Sequence, residues 1–157
     1  MAAPVAVTRV TPPGIPLRDG FGTFVTFGDD PDLNIWEMET TPPGKDTGDA
    51  IDTSTFHNVA RRTKAPPSLV EDTDGSGVCG YDPDVESELE AILGVNMVIT
   101  YTTNDGSTKA IYGFLKEFTP QSHTEGEFPT ANYVIVHTNV DLAFAEQAPV
   151  VVSVAGT

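Results

Sequence analysis

Residues Asn96 to Phe118 read NMVITYTTNDGSTKAIYGFLKEF. Two runs, Asn96–Thr103 and Ser107–Phe118, are rich in Val, Ile, Thr, Tyr and Phe. Branched and flat side chains of this kind pack well on a pleated surface and poorly against a helical turn. Asn104-Asp105-Gly106 between them supplies residues that accept the positive φ angles of a tight hairpin. The stretch is therefore expected to fold as an antiparallel hairpin, which makes the chain a β protein before anything else is read.

Working outward, ANYVIVHT (Ala131 to Thr138) is a further strand, and PVVVSV (Pro149 to Val154) an edge or terminal one. FGTFVTFG (Phe21 to Gly28) alternates, with Phe21, Thr23, Val25 and Phe27 on one face. LNIWEMET (Leu33 to Thr40) places Leu33, Ile35, Glu37 and Glu39 on one face and Asn34, Trp36 and Met38 on the other. Asp29-Asp30-Pro31-Asp32 joins these two runs as a turn, so a second hairpin is expected. A short strand is expected at Val78 to Tyr81.

One segment reads as helix, over 82–94. Asp82 is the N-cap, Pro83 fits the first turn, and Asp84, Glu86 and Glu88 favour the positive helix end. Val85, Leu89, Ile92 and Leu93 form an apolar stripe at helical spacing, and Gly94 ends it. Six to eight strands, one helix and no βαβ alternation give an α+β, mainly β class: an antiparallel β-sandwich or partly closed barrel with one flanking helix.

The 157 residues fit one domain and are enough to bury a core. Fourteen glycines and thirteen prolines favour turns and short strands over a helix bundle. The formal net charge is −15, which repels nucleic-acid phosphates and argues against direct duplex binding. The same charge suits a surface past which nucleic acid must travel without sticking. Cys79 is the single cysteine, so no intramolecular disulfide can form. MAAPVAVTRVTPPGIP has neither a basic leader nor a long apolar run, so no signal peptide and no membrane insertion are expected. Its prolines make Met1 to Pro16 an extended arm.

Motifs for chemistry are weak. Gly75-Ser76-Gly77-Val78-Cys79-Gly80 matches G-x-G-x-x-G in letters, but no helix opens from it and no acid follows at the required distance. It reads instead as a flexible Gly-Ser loop. Asp72-Thr73-Asp74-Gly75 lacks the third ligand and the closing Glu of a calcium loop. His57, His123 and His137 do not pair at metal-ligand spacing with one another or with Cys79. Neither an enzyme nor a cofactor is called for.

A long unpatterned segment remains, 41–77. It holds Arg61, Arg62 and Lys64 within four positions, in a chain with only eight Lys and Arg. Asp49 and Asp52 precede that cluster, and Ile51 and Phe56 are isolated apolar residues. A structureless loop of this length is unusual inside a compact domain and is usually functional. It cannot bury itself, but it can bind an acidic surface, and the chain is itself one. A contact between two different patches of like copies is heterologous and generates rings or filaments.

Three phrases carry a likeness to a known family: Gly48-Asp49-Ala50-Ile51-Asp52-Thr53, the helix start Tyr81-Asp82-Pro83, and Tyr112-Gly113-Phe114-Leu115 followed by Phe118-Thr119-Pro120. With the order of parts from about Gly14 to Asn139, they resemble the tail tube (major tail) proteins of long non-contractile-tailed, siphovirus-type bacteriophages. The resemblance implies one tail-tube domain over 1–157, with a terminal arm (1–16), an assembly loop (41–77) and a C-terminal segment (140–157). It implies a virion protein, assembled in the host cytoplasm, that forms hexameric rings stacked into a tube. Such a tube has a negatively charged lumen through which DNA passes in transit without specific binding. The implied partners are further copies of the chain and the tape-measure, baseplate initiator and terminator proteins of the tail. On this reading Asp49, Ile51, Asp52, Phe56, Arg61, Arg62 and Lys64 form the inter-subunit contact, the basic residues meeting acids of a neighbour and Ile51 and Phe56 anchoring the loop. Two alternatives stay open. One is a tail terminator, tail-completion or head decoration protein of a phage; the other is a soluble carbohydrate- or protein-binding β-sandwich.

Overall fold

The computed structural model describes residues 23–28, 35–104 and 106–153. The N-terminal arm 1–16 and the turn Asp29 to Asp32 lie outside them, as do Phe21, Leu33 and Asn34. In chain order the strands are β1 (Phe24–Phe27), β2 (Trp36–Thr41), β3 (Lys45–Asp46), β4 (Ile51–Asp52), β5 (Lys64–Ala65), β6 (Glu71–Asp72) and β7 (Gly75–Gly80). Helix α1 (Pro83–Ile92) follows, then β8 (Met97–Thr102), β9 (Thr108–Pro120), β10 (Thr130–His137) and β11 (Val150–Val152). The class is α+β, mainly β.

The Asn96–Phe118 hairpin forms as expected. β8 and β9 pair from Met97↔Gly113 to Thr102↔Thr108, and Gly106 sits at the turn with φ 89°. Among the described residues the antiparallel sheet runs β1-β8-β9-β10-β7-β2, with β11 on the edge of β9, seven strands. It is one sheet, not the two facing sheets of a sandwich. Its terminal strands β1 and β2 approach each other without a backbone ladder between them, and the Val25 N–H donates to Glu37 Oε1 at 2.9 Å. The barrel is thus partly closed, by a side chain.

That arrangement corrects the second expected hairpin. β1 pairs with β8 and β2 with β7, so the two strands are the opposite ends of the sheet. A turn signal reverses the chain; it does not choose the hydrogen-bonding partner. For the described residues the face assignments hold as far as Met38, but a bulge between Glu37 and Glu39 turns Glu39, expected on the inner face, out to solvent. Val25, Phe27 and Ile35 are buried, Glu37 is half-buried, and Trp36 and Met38 point out.

The core is the inner face of this curled sheet: Val25, Phe27, Ile99, Tyr101, Ile111, Leu115, Ala131, Tyr133 and Ile135, at alternate positions, with Leu89 from the helix. A fully buried aliphatic side chain contributes about 1.5–3 kcal/mol over an exposed one, so this face supplies most of the stability. Helix α1 starts as the sequence requires, with Asp82 Oδ1 accepting from Asp84 N–H at 3.0 Å, and stops at Gly94 with φ 75°. Leu93, expected in the buried stripe, is exposed because the helix has already ended at Ile92.

The glycine run is a strand and not a loop. Gly75 and Gly77 on β7 face the core, where a Cβ on Gly75 would collide with the Tyr101 hydroxyl and one on Gly77 with Tyr133 and the Glu39 carbonyl. Glycine is present there because aromatic rings from β8 and β10 occupy the space a side chain would need.

Candidate assembly interface

The segment 41–77 is the largest difference between expectation and structure. It is ordered as the outward continuation of the β2–β7 hairpin. The pairing Thr41↔Ser76 leads in the same register to Lys45↔Asp72 and Asp46↔Glu71, then, shifted by one residue, to Ile51↔Ala65 and Asp52↔Lys64. The two-residue ladders are too short to give any sequence period, which is why they read as loop. Gly48, at φ 79°, lets the chain bend between the ladders, and its N–H donates to Asp46 Oδ1 at 2.7 Å.

Beyond the β4–β5 ladder, residues 53–63 form a tip held by its own side chains. Asn58 is its hub: Oδ1 accepts from Thr55 N–H at 2.8 Å and Nδ2 donates to the Arg61 carbonyl at 2.7 Å. Thr63 N–H donates to Ser54 Oγ at 2.9 Å, and Thr53 N–H to the Thr63 carbonyl at 3.0 Å. Ser54 N–H donates to Asp52 Oδ1 at 2.9 Å, and that bond holds the Asp52 carboxyl below its ordinary range. Arg62 and Asp52 form an exposed ion pair at 3.6 Å.

Of the expected contact residues, Asp52, Phe56, Arg61 and Arg62 come together around one shallow hollow of about 610 Å³ at the tip. Ile51 and Lys64 lie on the ladder below it, and Asp49 sits exposed between β3 and β4, apart from the hollow. Part of the basic cluster is therefore met within the arm, by Asp52 on Arg62. Among the described residues Arg61 has no ion-pair partner. Phe56 is 109% exposed and Val59 100%, so the tip presents two apolar side chains wholly to solvent. Val59, Leu69 and Val70 were not singled out from the sequence. The available signal was apolar residues in a segment with no period to bury them.

At the base of the arm a second, buried cluster joins β6 to β10. His137 is 8% exposed. Its Nδ1–H donates to the Thr73 carbonyl at 2.9 Å, so Nε2 is the acceptor, and it takes the Tyr101 hydroxyl at 3.0 Å. Burial lowers the His137 pKa, against a raising effect from the Thr73 bond. Asn139, in the left-handed region at φ 53°, donates from Nδ2 to Asp72 Oδ2 at 2.8 Å. Asp72 Oδ1 and Asn139 Oδ1 are buried without a partner among the described residues.

Outside the arm, Trp36, Met38 and Phe128 are exposed, and Trp36 and Phe128 both pack beside Gly80. Edge strand β11 exposes Val150, Val151 and Val152. His57 is exposed at the tip, and the His123 ring lies 5.4 Å from that of Tyr81. Cys79 is buried, and that burial pushes its thiol up to about 11. Among the described residues no three His, Cys, Asp or Glu side chains converge as a metal site would need. No described helix is long and apolar enough to cross a membrane.

No protein-family model matches the chain, and no curated protein matches it. Among solved structures it is similar to a chain of the "Cryo-EM structure of the anti-feeding prophage (AFP) baseplate, 6-fold symmetrised". The identity is 9% and the TM-score 0.56, over 85% of this chain and 92% of that one. At that identity the likeness is one of fold.

Proposed function

We propose that the chain is a structural protein of a phage-type tail and that it builds the tail tube, as hexameric rings stacked into a conduit for DNA. The observation that carries this reading is the arm: a paired hairpin with an internally bonded tip that leaves Phe56 and Val59 in water. A free protein gains nothing from two wholly exposed apolar side chains on a preorganised support, whereas a contact between copies does. The fold likeness to a chain of a six-fold baseplate structure supports the tail setting, and the charge of −15 suits a lumen that does not retain DNA. The proposed partners are other copies of the chain, the tape-measure, baseplate and terminator proteins, and DNA in transit. The proposed location is the tail of the virion, assembled in the host cytoplasm. No catalytic step or cofactor belongs to this role.

A second reading, a closed ring at one end of the tail, is favoured by the baseplate to which the similar chain belongs. Negative-stain electron microscopy with light scattering separates the two. Across a concentration and salt series, hollow tubes of open length are expected, growing as salt screens the net charge. Closed rings that never stack would replace the tube with the end ring, and a monomer under every condition would count against both.

A further inference from the structure

A groove of about 1000 Å³ lies at the base of the arm, where β3 and β6 meet the turn after β10. Leu69, Val70 and Phe144 line it, exposed at 83%, 56% and 91%, and so do the carboxylates of Asp46, Glu71 and Glu146. Among the described residues no Lys or Arg lines it. Just behind it, the buried Asp72 and Asn139 oxygens add acceptors with no donor among the described residues.

We propose that this groove is the receptor for the arm tip of a second copy of the chain, with Phe56 and Val59 entering against Leu69, Val70 and Phe144, and Arg61 meeting Glu71 and its neighbouring acids. The inference rests on the self-assembly reading above and names the surface that the arm engages. Its grounds are complementarity on two counts. Among the described residues the tip is apolar and carries a guanidinium without an ion-pair partner, and the groove is apolar and carries three carboxylates without a cation. The chain leaves its own groove open, because the tip lies beyond the β4–β5 ladder with Phe56 and Val59 wholly exposed. Donor and receptor lie at opposite ends of one hairpin, so the contact is heterologous and each occupied groove leaves a free tip to continue the series.

Cross-linking between cysteine variants tests this. Cys79 is buried, so it stays silent toward a short bismaleimide. Val59→Cys mixed with Leu69→Cys under assembling conditions should give a covalent dimer, and the double variant Val59→Cys, Leu69→Cys a ladder of multimers. Val59→Cys mixed with Ser87→Cys, exposed on α1, should give none. In parallel, Arg61→Glu should raise the concentration needed for assembly roughly tenfold, and adding Glu71→Arg should restore it. Tubes that form without a tip-to-groove cross-link, or with tip-to-Ser87 links instead, would overturn the groove and leave the tube standing. An absence of any self-association would overturn both.

Discussion

The curled sheet and the arm are built from the same residue types and are held together by different forces. In the sheet, Tyr101 and Tyr133 fill the space left by Gly75 and Gly77, and with Leu89 of the helix twelve of the described apolar residues are buried in one cluster. In the arm, order comes from side chain to backbone bonds around Asn58 and Ser54, and the apolar residues Ile51, Phe56, Val59 and Leu69 face water. The inner face of the sheet has completed its burial within one chain. The arm has prepared a surface whose burial needs another molecule. A change in the sheet should therefore cost global stability and spare contact chemistry, while a change in the arm should do the reverse.

The largest effect should come from Gly77→Val. Its Cβ would overlap Tyr133 and the Glu39 carbonyl, and overpacking of this kind costs about 3 kcal/mol. The midpoint of urea unfolding should fall with an unchanged slope. A variant as stable as the parent would mean that the tyrosines are free to move, and the contrast between rigid sheet and local arm would weaken.

Next comes a pH effect in the sheet. The folded His137 pKa is lowered by burial, with Asp72, Asp74 and Lys109 the charged groups around it. Below the unfolded value of about 6.5, the unfolded chain then binds more protons than the native one. The contribution is full above that pH and is lost as pH falls through the window beneath it. Unfolding midpoints at pH 7.5 and 5.5 should therefore drop more for the parent than for His137→Gln.

The strands that the sequence displayed well are those whose alternation is long. β8, β9 and β10 keep inward residues such as Ile99, Ile111 and Tyr133 two apart, and that period is visible without a structure. Partners were harder. β2 bonds to β7 across the whole arm, a pairing that no local pattern in Leu33–Thr40 encodes. The glycine strand hid because glycine has no side chain to mark a face, and its reason lies in tyrosines more than twenty residues away. The arm hid because each of its ladders is only two residues long. Its basic cluster and its isolated Phe56 were nevertheless legible, as residues with no internal use. The groove that faces them was not, since it joins segments 46–48, 67–71 and 137–146.

Asn58→Ala sharpens the comparison on the arm side. It removes the bonds to Thr55 and Arg61, worth about 1 kcal/mol locally. Hydrogen exchange at the Thr55 amide should speed up about fivefold, while global unfolding shifts by less than about 0.5 kcal/mol. A matching global loss would show that arm and sheet unfold as one unit. The smallest effect belongs to Arg62→Ala, which removes only the exposed pair with Asp52 and should change thermal stability by less than about 0.5 kcal/mol.

The most direct test of the arm as a contact between copies is the double variant Arg61→Glu, Arg62→Glu, compared with the parent by negative-stain electron microscopy at matched concentration and salt. Both side chains are exposed, so the variant should fold with the parent's circular dichroism. The account expects it to remain as monomers or short fragments where the parent forms tubes. Tubes of parental length from the charge-reversed protein would contradict it.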